Sequence, residues 1–215
     1  MPRMNIRRLS SAGTRGATFS VAEAAFATGV GVKTIQQAID RREIVAIRSR
    51  GARRVGMPEL LYLSLRQSTA PALSRPGRAA LYKALREGSS DTETSQPPDI
   101  TLASGVVRIT PSLIVERLRV KLAALERSAT LVTIDPDIRG SDPVLRGTRV
   151  PVYTLSAMKR QGASDAELLE DFPSLTTESL DAALTYAATH PRRGRPKRAP
   201  WQRAPKRRGN GTRRR

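Results

Sequence analysis

Between Ile134 and Pro191 the chain is punctuated so closely by proline and glycine that only short helices can form there. Asp135-Pro136 and Pro143 precede the run Arg146-Gly147-Thr148-Arg149-Val150-Pro151-Val152. Proline fixes φ and removes a donor, glycine permits a positive φ, and the β-branched stretch favours extended backbone. The result is a stiff loop that launches a helix. Val152, Leu155 and Met158 then stand at helical spacing as far as Gly162, and Ser164-Asp165-Ala166-Glu167 spells a capping box for a second helix ending before Pro173. Thr176 caps a third, which carries Leu180, Ala183, Leu184 and Ala187 on one face and reaches His190. Three short helices with tight turns predict a helix-turn-helix-like domain of roughly 55 residues, a size that can fold alone.

The same residues resemble a known family, the one catalogued as domain of unknown function 433, which includes VapB-type antitoxins paired with PIN-domain ribonucleases. The positions that carry the resemblance are Asp135, Pro136, Ile138, Gly140, Pro143, Arg146 to Val152, Gly162 and Pro173-Ser174-Leu175-Thr176. Ser141 departs from it, standing where the family usually has a second glycine. The resemblance implies an antitoxin whose partner is a PIN-domain, VapC-like toxin. Asp135, Pro143, Arg146, Gly147, Thr148 and Arg149 are read as a structural loop, with Arg146 and Arg149 bracing it.

Charge separates the chain into a body and a tail. The 38 Lys and Arg against 19 Asp and Glu give a net charge of +19, yet residues 191–215 contain 12 of the basic residues and no acid, so the body carries only +7. Such an imbalance favours a polyanionic partner, and an aromatic content of 4% argues against one large aromatic core. Cysteine is absent, which excludes disulfides, thiolate metal sites and cysteine catalysis. No apolar run has the length of a signal or a membrane span, so the expected location is the cytoplasm, on the nucleoid when bound to DNA.

The front of the chain holds a second helix-turn-helix pattern. Ser20 with Glu23 caps a helix from Val21 to Thr28, Gly29 ends it, Val30-Gly31-Val32 turns, and Lys33 to Arg41 forms a second helix with Ile35, Ala38 and Ile39 facing the first. Lys33, Thr34, Gln36, Gln37 and Arg41 are left outward, residue types that read base edges or phosphates when such a helix enters the major groove. A strand at Ile44 to Ile47 and a hairpin wing carrying Arg48, Arg50, Arg53 and Arg54 around Gly51 follow, a place from which arginines clamp phosphates. The Ser-Val-x-Glu-Ala-Ala opening, the Gly-Val-Gly turn and the Thr-Ile of the second helix are similar to small winged helices of the MerR and excisionase type. An αα-hairpin with a solvated polar face is the plainer reading of the same pattern.

Between the two domains the composition turns to Pro, Ser, Thr and charge, interrupted by a short helix at Arg78 to Glu87 with Ala80, Leu81, Ala84 and Leu85 packed together. A strand at Gly105 to Ile109 comes next. Pro111 then opens an amphipathic helix of about 16 residues with Leu113, Ile114, Leu118, Leu122 and Leu125 as its apolar set. That face packs on the three-helix domain or on a second subunit, the former being the simpler choice. The tail admits three readings. Arg193-Gly194-Arg195-Pro196 spells the core of an AT-hook for a narrow minor groove. Trp201, Arg203, Arg207 and Arg208 are candidates for blocking the toxin, since the resemblance implies Mg²⁺-holding carboxylates that arginine pairs bidentately. A non-specific polyanion tether is the third.

Catalytic chemistry finds little support. His190 is the only histidine, and Asp135, Asp137 and Asp142 share a loop without the spacing of a calcium loop, so neither catalysis, cofactor nor metal is expected. The chain is therefore read as mainly α with a short β wing and strands, in two helix-turn-helix-like domains. Its parts are a flexible N-terminus (1–17), a winged helix-turn-helix DNA-binding domain (18–67), and a linker with one short helix (68–104). An adapter helix plus the antitoxin-like three-helix domain (105–190) and a disordered Arg-rich tail (191–215) complete it. The expected function is that of a type II antitoxin that neutralises its ribonuclease, binds its own operator and forms a homo-oligomer without membrane contact. The alternative is a stand-alone DNA-binding transcription regulator or nucleoid-type binder.

Overall fold

The computed structural model describes residues 17–49, 51–69, 73–88, 99–102, 107–135 and 141–192. The expected flexible N-terminus, apart from Ala17, lies outside them, as does the tail beyond Arg192. Helices dominate and the strands are short, as the sequence predicts.

The front unit begins with β1 (Phe19–Ser20) and α1 (Val21–Thr28). Ser20 Oγ accepts from the Glu23 amide at 3.2 Å and the Glu23 carboxylate accepts from the Ser20 amide at 2.6 Å, the reciprocal capping expected of this spelling. Gly29 at φ 72° closes α1, and α2 (Val32–Asp40) follows with Ile35 and Ala38 buried. Next come β2 (Ile47–Ser49) and β3 (Ala52–Val55), with β3 central between β1 and β2 and all pairs antiparallel. The strand predicted from Ile44 starts only at Ile47, because Ile44 is drawn into the core and Val45 donates its amide to a side chain instead of a ladder. The unit continues into α3 (Met57–Thr69), which buries Leu60, Leu61, Leu63 and Leu65.

The predicted linker needs correction. Its helix, α4 (Arg75–Gly88), starts earlier than expected and packs on α3, with Leu81 and Leu85 buried in the same core as Ile35 and Leu60. Ala80, by contrast, is exposed. An i, i+4 leucine pair shows that a helix has an apolar stripe but not which neighbour covers it. The antiparallel pair β4 (Ile100–Leu102) and β5 (Val107–Ile109) adds Ile109 to that core.

Helix α5 (Ser112–Leu131) runs for 20 residues, longer than predicted. Leu118 belongs to the front core, with Ile114, Val115, Leu122 and Leu125 packed against it, while α5 also lies along the last helix of the rear unit. Leu113 is the exception to its predicted apolar set, being 81% exposed. A step of 100° from Ile114 carries it out of the buried arc. The apolar face is thus satisfied within one chain, partly by the front unit, so a boundary at residue 105 cuts through a core.

The rear unit opens with the antiparallel pair β6 (Val132–Ile134) and β7 (Pro143–Leu145) and closes with α6 (Val152–Arg160), α7 (Asp165–Asp171) and α8 (Thr177–Thr189). Capping boxes at Ser164/Glu167 and Thr176/Ser179 start the last two. Val132, Leu145, Val152, Leu155, Leu168, Leu175, Leu180 and Ala183 form a separate core. Among the described residues no helix is long and apolar enough to cross a membrane.

Two stability measurements follow. Leu81→Ala should lower the unfolding free energy by about 2–5 kcal/mol in a denaturant titration, the range for a buried leucine, whereas a linker helix would lose almost nothing. Ser141 is held at φ 67°, a region that favours glycine. Ser141→Gly should therefore raise stability by up to about 1 kcal/mol, since the left-handed cost for an L-residue of about 1–2 kcal/mol exceeds most of glycine's entropic penalty.

Candidate nucleic-acid interface

Burial of Ile35 and Ala38 fixes the rotation of α2 and leaves Lys33, Thr34, Gln36, Gln37 and Arg41 exposed together, as the pattern predicts. Arg42, which the sequence reading passed over, is exposed beside Arg41 at φ 57°, where the chain turns out of the helix. The helix is short and its N-cap, Gly31, supplies no side chain, so the first amides of α2 are not capped by their own cap residue.

The wing separates into free and engaged arginines. Arg48 is exposed on the edge strand β2 with no acidic partner among the described residues, and Arg50 lies outside them. Arg53 reaches back to Asp40 at the end of α2, with Nη1 to Oδ1 at 2.6 Å. Arg54 donates from Nε to the Thr18 hydroxyl at 2.9 Å, from Nη2 to the Thr18 carbonyl, and lies 3.5 Å from the Glu23 carboxylate. Residue type alone grouped four arginines as phosphate clamps. Geometry turns Arg54 into a tie between the wing and the start of α1, and Arg53 into a tie between the wing and α2, since their acids sit within reach in space though 13 and 31 residues away in sequence.

A second element missed by sequence reasoning holds the approach to the wing. Glu59 is 6% exposed; its carboxylate accepts from the Tyr82 hydroxyl at 2.5 Å and from the Gly56 amide at 2.9 Å. The Tyr82 hydroxyl in turn accepts from the Val45 amide at 2.9 Å. Burial first, and then the bond to Glu59, push the Tyr82 phenol well above its ordinary pKa, so it stays a neutral donor. A Cβ at Gly56 would fall 2.9 Å from the Glu59 carboxylate, which would have to shift from its bonds to the Gly56 amide and Tyr82. The detectable signal was the Gly-x-x-Glu spelling ahead of α3; the contribution of Tyr82 from α4 had none.

In the rear loop the backbone, and not the arginine side chains, does the bracing. Gly147 sits at φ 75°, the Thr148 amide bonds the Leu145 carbonyl at 3.0 Å, and the Thr148 hydroxyl donates to that carbonyl while accepting from Val150 at 3.1 Å. Arg146 anchors by its amide to Leu131 at 2.8 Å, and its side chain, like that of Arg149, is exposed. Pro143 is buried in β7, and Asp135 ends the described part of β6 and its loop. Asp142 holds Arg192 at 2.8 Å, and Arg192 lies 4.5 Å over the Tyr153 ring, whose hydroxyl donates to the His190 carbonyl at 2.7 Å. Burial raises the Tyr153 pKa. The predicted tail therefore has Arg192, at its start, fastened to the body. Arg193, Gly194, Arg195, Pro196, Trp201, Arg203, Arg207 and Arg208 all lie outside the described residues, as does Asp137 of the acidic loop. No cluster of metal-ligating side chains occurs among the described residues.

Residues 132–187 match the family described as "Protein of unknown function (DUF433)". Over 75 residues the chain is 45% identical to the uncharacterized protein y4eO of Sinorhizobium fredii, an alignment covering 35% of this chain and 34% of that protein. The chain thus spans about a third of that relative's length. A solved structure of a DUF433 member from Anabaena variabilis is 38% identical, with 35% of this chain and 75% of that chain covered and a TM-score of 0.28. The family read from Asp135 to Thr176 is the family matched, and it coincides with the rear unit.

The buried bond from Tyr82 has a measurable consequence. Tyr82→Phe should cost about 1–3 kcal/mol, because it leaves a buried carboxylate short of a donor and the Val45 amide without its acceptor. Hydrogen exchange at Val45 should quicken in the same variant.

Proposed function

We propose that the protein is a DNA-binding antitoxin of a type II pair: its front unit binds its own operator, and its rear unit and basic tail hold a PIN-type ribonuclease. The observation that carries the DNA half is the exposed face of α2, where Lys33, Thr34, Gln36, Gln37 and Arg41 have no acidic partner among the described residues. The order helix, three-residue turn, helix, hairpin supports a winged helix-turn-helix of the MerR and excisionase kind. In that mode α2 enters the major groove while Arg48 and Arg50 approach phosphates, and Arg53 and Arg54 fix the wing's position.

The antitoxin half rests on the resemblance of the rear-unit motif to VapB-type proteins. PIN-type nucleases gather carboxylates around Mg²⁺, and tail arginines such as Arg203, Arg207 and Arg208 suit that cluster chemically. The same cations could serve DNA, with Arg193 to Pro196 in a minor groove. Comparing the full chain with a truncation after Arg192 separates the two uses. If the tail neutralises a toxin, the tagged full chain co-purifies with an inhibited ribonuclease encoded beside it, the truncation releases the activity, and operator binding changes little. If no nuclease is held while DNA binding is intact, the antitoxin half is wrong and a stand-alone regulator remains.

For the DNA half, Gln37→Ala should weaken operator binding by about 1–3 kcal/mol and leave non-specific binding unchanged. Arg48→Ala should weaken binding to every sequence and flatten the slope of log K against log salt by about 0.9. Unaltered binding in both variants would remove α2 and the wing from the interface.

A further inference from the structure

The polar side chains of α2 are not equivalent, because burial fixes the rotation of the helix. Ile35 is fully buried and marks the inward direction, with Ala38 and Ile39 packed on either side of it. Each residue advances the direction by about 100°, so Lys33 and Gln37 point within about 20° of straight outward, whereas Thr34 and Gln36 lie about 80° to either side. Asp40 completes the outward row within the helix, and Arg41 stands just past its end.

Along that row the hydrogen-bonding capacities differ. Lys33 and Arg41, one turn before and one turn after Gln37, can only donate. Asp40 can only accept, and its Oδ1 is held by Arg53 Nη1 at 2.6 Å. Gln37 carries an acceptor and a donor in one planar group, and its carboxamide is exposed with no partner among the described residues. On the major-groove edge of DNA, adenine sets an acceptor, N7, beside a donor, N6. Guanine offers two acceptors there, cytosine a donor, and thymine an acceptor beside a methyl group.

We propose that Gln37 is the specificity-determining residue of α2 and reads an adenine, accepting from N6 and donating to N7. The inference rests on the DNA-binding reading of α2 and narrows it from a face to a base. The surroundings of Gln37 suit the contact. Lys33 and Arg41 each lie about 6 Å from it along the helix axis, so donors flank the carboxamide and meet phosphates or guanines beside the adenine. Asp40, a charge that would repel the backbone of DNA, is neutralised by the wing through Arg53. Gln36 has the same chemistry as Gln37 but is aimed at the wall of the groove, where phosphates lie.

Enrichment of a random-sequence duplex library on the full chain supplies the probe. The retained duplexes should share an A·T pair at which 7-deazaadenine, which lacks the N7 acceptor but keeps Watson–Crick pairing, weakens binding at least about fivefold. In Gln37→Ala the same replacement should cost nothing, since the donor to N7 is gone, while in Gln36→Ala the penalty should persist. Gln37 is exposed, and a thermal melt matching the parent's verifies that its variant is folded. A retained set without such an adenine, a penalty that survives in Gln37→Ala, or one that vanishes in Gln36→Ala would overturn the adenine contact and leave the DNA-binding reading standing. A library from which no duplex is retained would overturn both.

Discussion

Helix α5 completes the front core and at the same time packs along the rear unit, and most of the architecture follows from that. Leu118 completes the leucine core made by α3 and α4, while the same helix lies along α8 of the rear unit. A helix of 20 residues extends about 30 Å, long enough to serve both without a bend. Lys121 stands 5.0 Å over the Phe26 ring of α1, so the shared helix also touches the first helix of the front unit. The front and rear units are consequently coupled through side chains, in contrast to the two domains on a linker that local sequence patterns suggest. Helix α1 thus touches both α5 and α2.

The front surface is shaped by which cations are already occupied. Asp40, Glu23 and Glu43 hold Arg53, Arg54 and Arg66, so the acids of the unit are spent on arginines near the hairpin and α3. Such partly exposed pairs contribute little energy each, but they define geometry. Among the exposed cations without an acidic partner in the described residues are Lys33 of α2, Arg41 and Arg42 just after it, and Arg48 at the start of the wing. The buried carboxylate of Glu59, bonded by Tyr82 and Gly56, sets the wing's root from the opposite side. The polar, solvated face of α2 thus sits on a frame tied by Arg53 to Asp40, Arg54 to Glu23 and Tyr82 to Glu59.

What the sequence reveals here is what is local. Ser20/Glu23, Ser164/Glu167 and Thr176 fix three helix starts within four residues of chain, and the capping geometry forms at each. Gly147 between Pro143 and Pro151 is equally local, and the turn follows. The rotation of α2 was legible because Ile35 and Ala38 leave a single polar arc. Contacts that join distant segments were not legible. Tyr82 meets Glu59 from 23 residues away, Arg54 meets Thr18 from 36, and Arg192 meets Asp142 from 50. Leu81 and Leu85 advertise an apolar stripe, but only the placement of α3 tells that the stripe is core. Ser141 is the instructive intermediate: its departure from the family's usual glycine falls at a left-handed residue, so a sequence anomaly marked a backbone constraint.

Charge also orients the molecule. Helix α7 carries Asp165, Glu167, Glu170 and Asp171 among its seven residues, and among the described residues only Asp165 forms an ion pair, with Lys159 at 2.6 Å. Bonds from the Ser164 amide and hydroxyl hold the Glu167 carboxyl below the usual carboxylate range, so it stays charged in mildly acidic solution. The rear unit therefore presents a patch that repels phosphate, while α2 and Arg48 present one that attracts it. A body charge of only +7 then understates the asymmetry, because acids and bases are sorted onto different elements. A polyanion approaching through ordinary salt feels the nearest charges within a Debye length of about 8 Å. It is drawn to the front and turned away from α7.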